Sequence, residues 1–431
     1  MEQSPGRLQK ADCGAEQGAV GGGLTHAGIV SKGRRWWIQF PAALRELASV
    51  RLVASFGAGG VLYLTPMVFH QIEFTAAQVG TGLALAALSG TIGRFTSGWL
   101  LDLGLSCGIP VLLAALCGFL GDSLLLGASQ LPSYVAGQLL LGMAGGLYWP
   151  AVELAVPLCA EPTPSARGYA LVRSADAAGI ATGTLTGALL AKLGHLRGVY
   201  WVDMAAVSAL AVMLLWRPLP RGPHGEKAGV KAISPGQWLP NLMPMLIVSV
   251  VATSIPALMQ SALPLDLVQG GLERSAQPES ITALLIGGQL GLLLLIQWPV
   301  GQYLAQRSVA VGLALSMICF GAGSSLLAFS SLTDQGIGLV LIGLIVLAFG
   351  EAAFLPTATE AVVELSPAGH GGLAMALFSQ CFALSGFTAP LLAGLLLDHH
   401  GNGLMLWLLV AVASALTLML MPKIRQSTQI K

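Results

Sequence analysis

Gly142-Met143-Ala144-Gly145-Gly146-Leu147-Tyr148-Trp149-Pro150 lies within an apolar run over residues 132–157, and its last three residues have a counterpart in Phe354-Leu355-Pro356, 206 positions later. Working outward, Gly179, Gly187 and Gly194 return as Gly386, Gly394 and Gly401, each 207 positions on. Ser208-Ala209-Leu210 returns as Ser414-Ala415-Leu416 at an offset of 206. Twelve apolar runs lie between residues 48 and 421, six before a basic loop at 217–240 and six after it. Two duplicated helical halves in a bilayer point to a transporter, because a solute site forms at the seam between repeats and alternates its exposure there.

The chain has 431 residues, of which 55% are hydrophobic and only 10% charged, and its mean hydropathy is +0.75. Those values lie outside the range of soluble domains and mark an integral membrane protein. Most runs reach the ~20 residues that a helix needs to cross the hydrocarbon core. They are long and continuous, with no short alternating segments, so they predict helices and not a barrel. Glycines such as Gly57, Gly59 and Gly60, or Gly142, Gly145 and Gly146, let helix backbones approach where lipid competes for apolar contact.

Basic residues set the orientation. Most lie before helix one, in the central loop, or at Arg167, Arg307 and Lys423 to Lys431, whereas Lys192, Arg197 and Arg274 fall on the opposite side. The positive-inside bias predicts both termini in the cytoplasm, in a bacterial inner membrane. The expected division is a disordered tail at 1–44 with Trp36 and Trp37 as an interfacial anchor, a six-helix bundle at 45–216 and a linker at 217–240. A second six-helix bundle follows at 241–421, then a short tail at 422–431.

The six cysteines are scattered with no C-x-x-C spacing, and neither a phosphate-binding glycine loop nor an H-E-x-x-H helix occurs, so disulfides, ATP hydrolysis and a catalytic zinc are not expected. No nucleophile, base and orienting group assemble with recognisable spacing, which argues against an enzyme. The expected partners are a small-molecule substrate and the lipid bilayer, with no nucleic acid, no cofactor, and a proton or other ion gradient as the driving force. The expected assembly is a monomer.

The segment Gly93-Arg94-Phe95-Thr96-Ser97-Gly98-Trp99-Leu100-Leu101-Asp102 resembles the signature of the major facilitator superfamily, whose Gly-x-x-x-Asp opens the loop to helix three. Gly98 and Asp102 match it. Leu103, Leu105, Ser106 and Cys107 stand where the family usually carries arginine, glycine and further basic residues, and the second half keeps Gly301 and Arg307 without the aspartate. The stretch 142–150 is similar to the family's fourth helix and Arg167-Gly168 to the start of its fifth. Gly179, Gly183 and Gly187 resemble the glycine stripe that drug/proton antiporters carry on helix five, although Thr184 replaces the usual proline. Pro390 and Gly394 are similar to helix eleven, whereas Gln138 stands where an arginine is often found. The resemblance implies a twelve-helix fold of two six-helix repeats, with helices one, four, seven and ten around a central cavity.

Charged side chains in a bilayer core each need a partner or a water-lined role, because each costs about 2.5–3.5 kcal/mol on insertion scales. Arg94, Gly98 and Asp102 share one face of helix two by their i, i+4, i+8 spacing. With Glu153, Arg173 and Asp176 they are expected to form a charge cluster that locks the cytoplasmic gate in the outward-open state; direct solute or proton binding is the alternative. The resemblance directs attention to Tyr63, Gln138, Tyr148, Trp149, Gln260 and Glu351 as cavity residues. Glu351, near mid-membrane, reads either as a proton carrier or as a glutamate hydrogen-bonded to a neighbouring helix. Tyr148 and Trp149 read either as a stacking platform for an aromatic solute or as packing at a kink. Asp122, Asp203 and Asp266 are expected near outer helix ends, the last two in solvent, and His399 and His400 in a solvated outer loop. Proton-driven export of a small amphipathic compound is the first expectation. Uptake of a nutrient such as a sugar or organic anion is the second, and a non-transporting sensor or scaffold the third.

Overall fold

A computed structural model describes residues 37–163, 165–221, 235–304, 306–366 and 371–429. The expected tail and its Trp36 anchor lie largely outside these residues. Within the unit Met1–Phe40, Trp37 accepts a bond from the Phe40 amide, and everything that follows concerns the unit Pro41–Lys431.

Among the described residues, this unit is built on twelve long helices: α1 (Ala42–His70), α2 (Ala76–Asp102), α3 (Gly108–Gly127), α4 (Leu131–Ala160), α5 (Ser165–Lys192) and α6 (Gly198–Trp216), then α7 (Pro235–Gln269), α8 (Glu279–Leu304), α9 (Val309–Ser330), α10 (Gly336–Leu365), α11 (Gly371–His400) and α12 (Leu404–Thr417). A 3-10 turn at Leu418–Leu420 leads to α13 (Met421–Gln429), so the expected C-terminal tail is helical as far as Gln429, and it is anchored by the fully buried Ile424. Helix α1 starts before the apolar run because Leu44, Leu47 and Ala48 already face the interior. Likewise α7 takes in 235–240, the last part of the expected linker.

Eleven of the described helices are long and apolar enough to cross a membrane. Helix α5 is not among them, because Asp176 and its glycines and threonines lower its hydropathy. Its position explains the composition: α5 is flanked by α1 and α8, where small residues matter more than lipid-facing bulk. Large apolar side chains such as Phe95, Leu189, Leu215, Trp216, Leu295 and Trp298 stand exposed on the outside, as a lipid-facing surface requires.

The helix pairings repeat. In the first six, α1 packs on α5 and α6, α2 on α4, and α3 on α4 and α6. Six helices later α7 packs on α11 and α12, α8 on α10, and α9 on α10 and α12. Gly194 and Gly401, one of the repeated landmarks, explain themselves here. Both follow a helix end, after α5 and α11, with φ of +77° and +68°, the left-handed conformation that glycine adopts without a Cβ penalty.

Between the two sets, α2 meets α11, α5 meets α8, and α1 meets α7. We call the face where α1 starts and α12 ends the terminal face, and the opposite one the far face. At the far face the halves touch closely: Pro390 O lies beside Gly80, Gly394 beside Ala76 and Ala77, and Leu185 beside Gly287. Gln71 donates to Glu279 across the same seam at 3.2 Å. Near the terminal face, Gly98 of α2 and Gly301 of α8 border open space.

Asp203 and Asp266, expected in solvent, are both buried. Asp266 is fully buried, not solvated: it accepts bonds from Arg274 Nη2 (3.0 Å), the Gly403 amide (3.0 Å) and Trp407 Nε1 (2.9 Å). Arg274, also buried, donates on to Ser330 Oγ at 2.5 Å, so one ion pair ties α7, α9 and α12 together. Asp203 of α6 and Asp122 of α3 are buried as well and face each other, with Asp203 Oδ1 against Gly57 of α1. Helix ends are embedded here because neighbouring helices extend past them. Arg274→Ala is expected to cost about 3–5 kcal/mol by stranding a buried carboxylate, while adding Asp266→Asn recovers part of the loss. Thermal unfolding of the purified protein checks this; equal midpoints for wild type and Arg274→Ala would count against the clasp.

Candidate solute site

A set of polar side chains within the helices begins with Arg51, the fourth residue of the first apolar run. Arg51 is 3% exposed on α1, and such a charge survives only with partners. Asp176 of α5 supplies one at 2.9 Å and also accepts from Ser55 Oγ. Helix α5 comes close enough because its glycines carry no side chain: Gly179 abuts Leu52 O, Gly183 abuts Phe56 O, and Gly187 abuts Leu64. The stripe that resembles the antiporters is therefore the packing surface between α5 and α1.

Helix α4 provides the second partner. The Arg51 guanidinium lies 3.7 Å from the Trp149 ring centroid and 5.1 Å from that of Tyr148, a cation–π arrangement worth about 0.5–2 kcal/mol depending on desolvation. The two rings meet edge to face, with centroids 6.3 Å apart. Trp149 is partly exposed, at 39%, whereas the buried Tyr148 Oη has no hydrogen-bond partner among the described residues. Their counterpart in the second half differs: Phe354 is core, packed against Phe320 and Phe378.

The second set of helices contributes Glu351 and Gln289. Glu351 stands midway along α10 facing Gln289 of α8. Glu351 Oε1 and both amide atoms of Gln289 are buried without a hydrogen-bond partner among the described residues. Tyr63, buried on α1, faces Gln260 of α7 and is within electrostatic reach of both Glu351 and Asp176, so it bridges the two sets. Buried polar atoms normally find partners. Unsatisfied ones from both repeats, linked through Tyr63, mark this group as the candidate site.

Of the expected cavity residues, Tyr63, Tyr148, Trp149, Gln260 and Glu351 fall in this group. Gln138 does not: it is buried on α4 ten residues before Tyr148, about 15 Å along the helix. Among the described side chains, the expected gate cluster divides between two ion pairs. Arg173 pairs with Glu153 at 3.7 Å, and Asp176 turns to Arg51 instead, because α1 presents the nearer cation. Arg94 makes no ion pair among the described side chains, and the Asp102 side chain lies outside them. Arg51, Ser55 and Gln289 went unread in the sequence, although a lone arginine inside an apolar run was signal enough.

The loop after Asp102 has a different use from the family's basic one. Ser106 Oγ donates to Leu219 O at 2.6 Å and the Cys107 amide to Pro220 O at 3.0 Å. Arg221 bridges back to Ser106, and Arg217 is paired with Glu46 of α1. The start of the central linker is thus fastened to the turn between α2 and α3.

Comparison with known proteins agrees with this architecture. The sequence model of the Major Facilitator Superfamily matches residues 47–312. A search of curated proteins finds none with significant sequence similarity. Among solved structures, the chain is similar to a POT family transporter in complex with a thioalcohol-conjugated peptide, with a TM-score of 0.74 at 13% identity over 88% of this chain and 96% of that one. The nucleoside transporter NupG gives 0.71 at 11% identity over 89% and 99%. The family match spans most of the chain and the fold is shared nearly end to end, so this protein belongs to the Major Facilitator Superfamily.

Proposed function

We propose that this transporter couples proton movement to the export of a small amphipathic molecule, exposing one central site alternately to the two sides of the membrane. One observation carries the reading: a charged and aromatic group on α1, α4 and α5 is linked through Tyr63 to Glu351 on the other six helices, a carboxyl with no cation paired to it among the described residues. In this reading Trp149 and Tyr148 take the solute's apolar body, Gln260, Gln289 and Tyr63 its polar groups, and Glu351 the proton. The terminal face is the cytoplasmic one, so the structure corresponds to the inward-open state. Arg94, Gly98, Asp102, Glu153 and Arg173 then gate that face, and one chain in a bacterial inner membrane suffices.

A second reading, uptake of a hydrogen-bonding metabolite, is favoured by Arg51, a buried cation to which the export reading gives no contact with the solute. The similar structures are named as peptide and nucleoside transporters, which fits this reading too. Expression in an efflux-deficient bacterial host separates the two, with cellular accumulation of dyes, drugs, dipeptides and nucleosides followed with and without a protonophore. Export lowers accumulation and the protonophore restores it; uptake raises accumulation and the protonophore abolishes the rise. No change for any compound, with the protein present in the membrane, counts against both.

A further inference from the structure

We propose that Asp398 is the latch of the far-face gate, holding the two six-helix sets together by capping the first turn of α2 from the opposite set. Asp398 is the third-last residue of α11. Its two carboxylate oxygens accept bonds from the Ala76 and Ala77 amides, each at 2.8 Å. The first amides of any helix have no acceptor within it, and a negative charge there is favoured by the helix dipole.

What makes this a latch and not an ordinary cap is how the donors are divided. Helix α2 carries its own capping box: Thr75 Oγ1 accepts from the Gln78 amide at 3.2 Å, and Gln78 Oε1 accepts from the Thr75 amide at 3.0 Å. That pair satisfies Thr75 and Gln78 in any conformation, because both belong to one helix. The amides between them, Ala76 and Ala77, have a protein acceptor only while α11 is in place. Parting of the far face therefore leaves α2 folded and breaks two charge-assisted bonds at once.

The approach of α11 is built for this reach. Gly386, Pro390, Gly394 and Asp398 recur every four residues along one face of the helix. The first three lie against Ala87, Gly80, and Ala76 with Ala77, respectively. A Cβ at Gly394 would sit 2.8 Å from Ala77 Cα, so only glycine brings the carboxylate this near. Asp398 itself is exposed, and water competing for it keeps the bond breakable, as a reopening gate needs.

Hydrogen–deuterium exchange on the full-length protein in nanodiscs tests the latch without any substrate or proton gradient, so its failure is distinct from failure of the transport reading. Asp398→Ala is expected to raise exchange about tenfold in peptides from both sides of the seam, 76–87 and 386–398, with thermal stability kept. Asp398→Asn gives a smaller rise. Thr75→Ala, which removes only the capping box, raises exchange near residue 76 and leaves 386–398 unchanged. The latch is overturned if Asp398→Ala leaves both sides of the seam unchanged, or if it alters only residues adjoining 398, or if Thr75→Ala opens the α11 side equally.

Discussion

Arg51→Ala is expected to abolish transport and to destabilise the protein by about 3 kcal/mol, the lower end of the range for stranding one member of a buried ion pair. The lower end applies because Asp176 keeps a fifth of its side-chain surface, 20%, whereas Arg51 keeps 4%. Two further variants separate structure from function. Arg51→Ala with Asp176→Ala removes both charges and should recover most of the stability, since no orphan carboxylate remains, yet transport stays lost. Arg51→Lys keeps the charge near Asp176 but loses the flat guanidinium over Trp149, for which an ammonium is no substitute. It is expected to fold normally and to bind its solute more weakly. Unfolding midpoints and transport assays on the same preparations decide the matter. Full transport by the double alanine variant would reduce the pair to a packing device.

The helical frame was legible because a bilayer allows few solutions: long apolar runs fix the helices, and repeated landmarks at offsets of 206 and 207 fix their grouping. Helix ends were less legible. Hydropathy marks the hydrocarbon core, and α1 and α7 continue past it where Leu44, Leu47 and Trp238 still pack inside the protein. The site was half legible. Family-like positions led to Glu351, Tyr148 and Trp149, but Arg51 was absorbed into an apolar run, and its partner on α5 is 125 residues away (51 to 176). Asp398 drew no reading in the sequence, since no pattern along a chain shows that its acceptor oxygens serve a helix start 322 positions earlier. Asp266 and Arg274 are only eight residues apart, yet burial of both depends on Trp407 and Ser330 from elsewhere in the chain.

Glu351→Gln is expected to give the cleanest loss of function. The substitution keeps the shape of the side chain and removes its capacity to carry a proton. A carboxylate at this depth costs about 2.5–3.5 kcal/mol on insertion scales, and no cation is paired with Glu351 among the described residues. A neutral amide removes that cost and can both donate to and accept from the facing Gln289, so the variant should be as stable as wild type or more so. If Glu351 carries the coupled proton, transport driven by a pH gradient falls to that of vesicles without the protein. Exchange of labelled for unlabelled solute across the same membranes continues, because exchange returns the carrier loaded and needs no proton release. Glu351→Asp should restore part of the gradient-driven transport, since it restores the titratable group one methylene further from Gln289. Loss of both activities in a stable Glu351→Gln protein would instead make Glu351 a solute ligand, and retention of both would move the proton elsewhere in the molecule. Measured together in reconstituted vesicles, gradient-driven transport and exchange therefore assign the role of this carboxyl whichever way the solute moves.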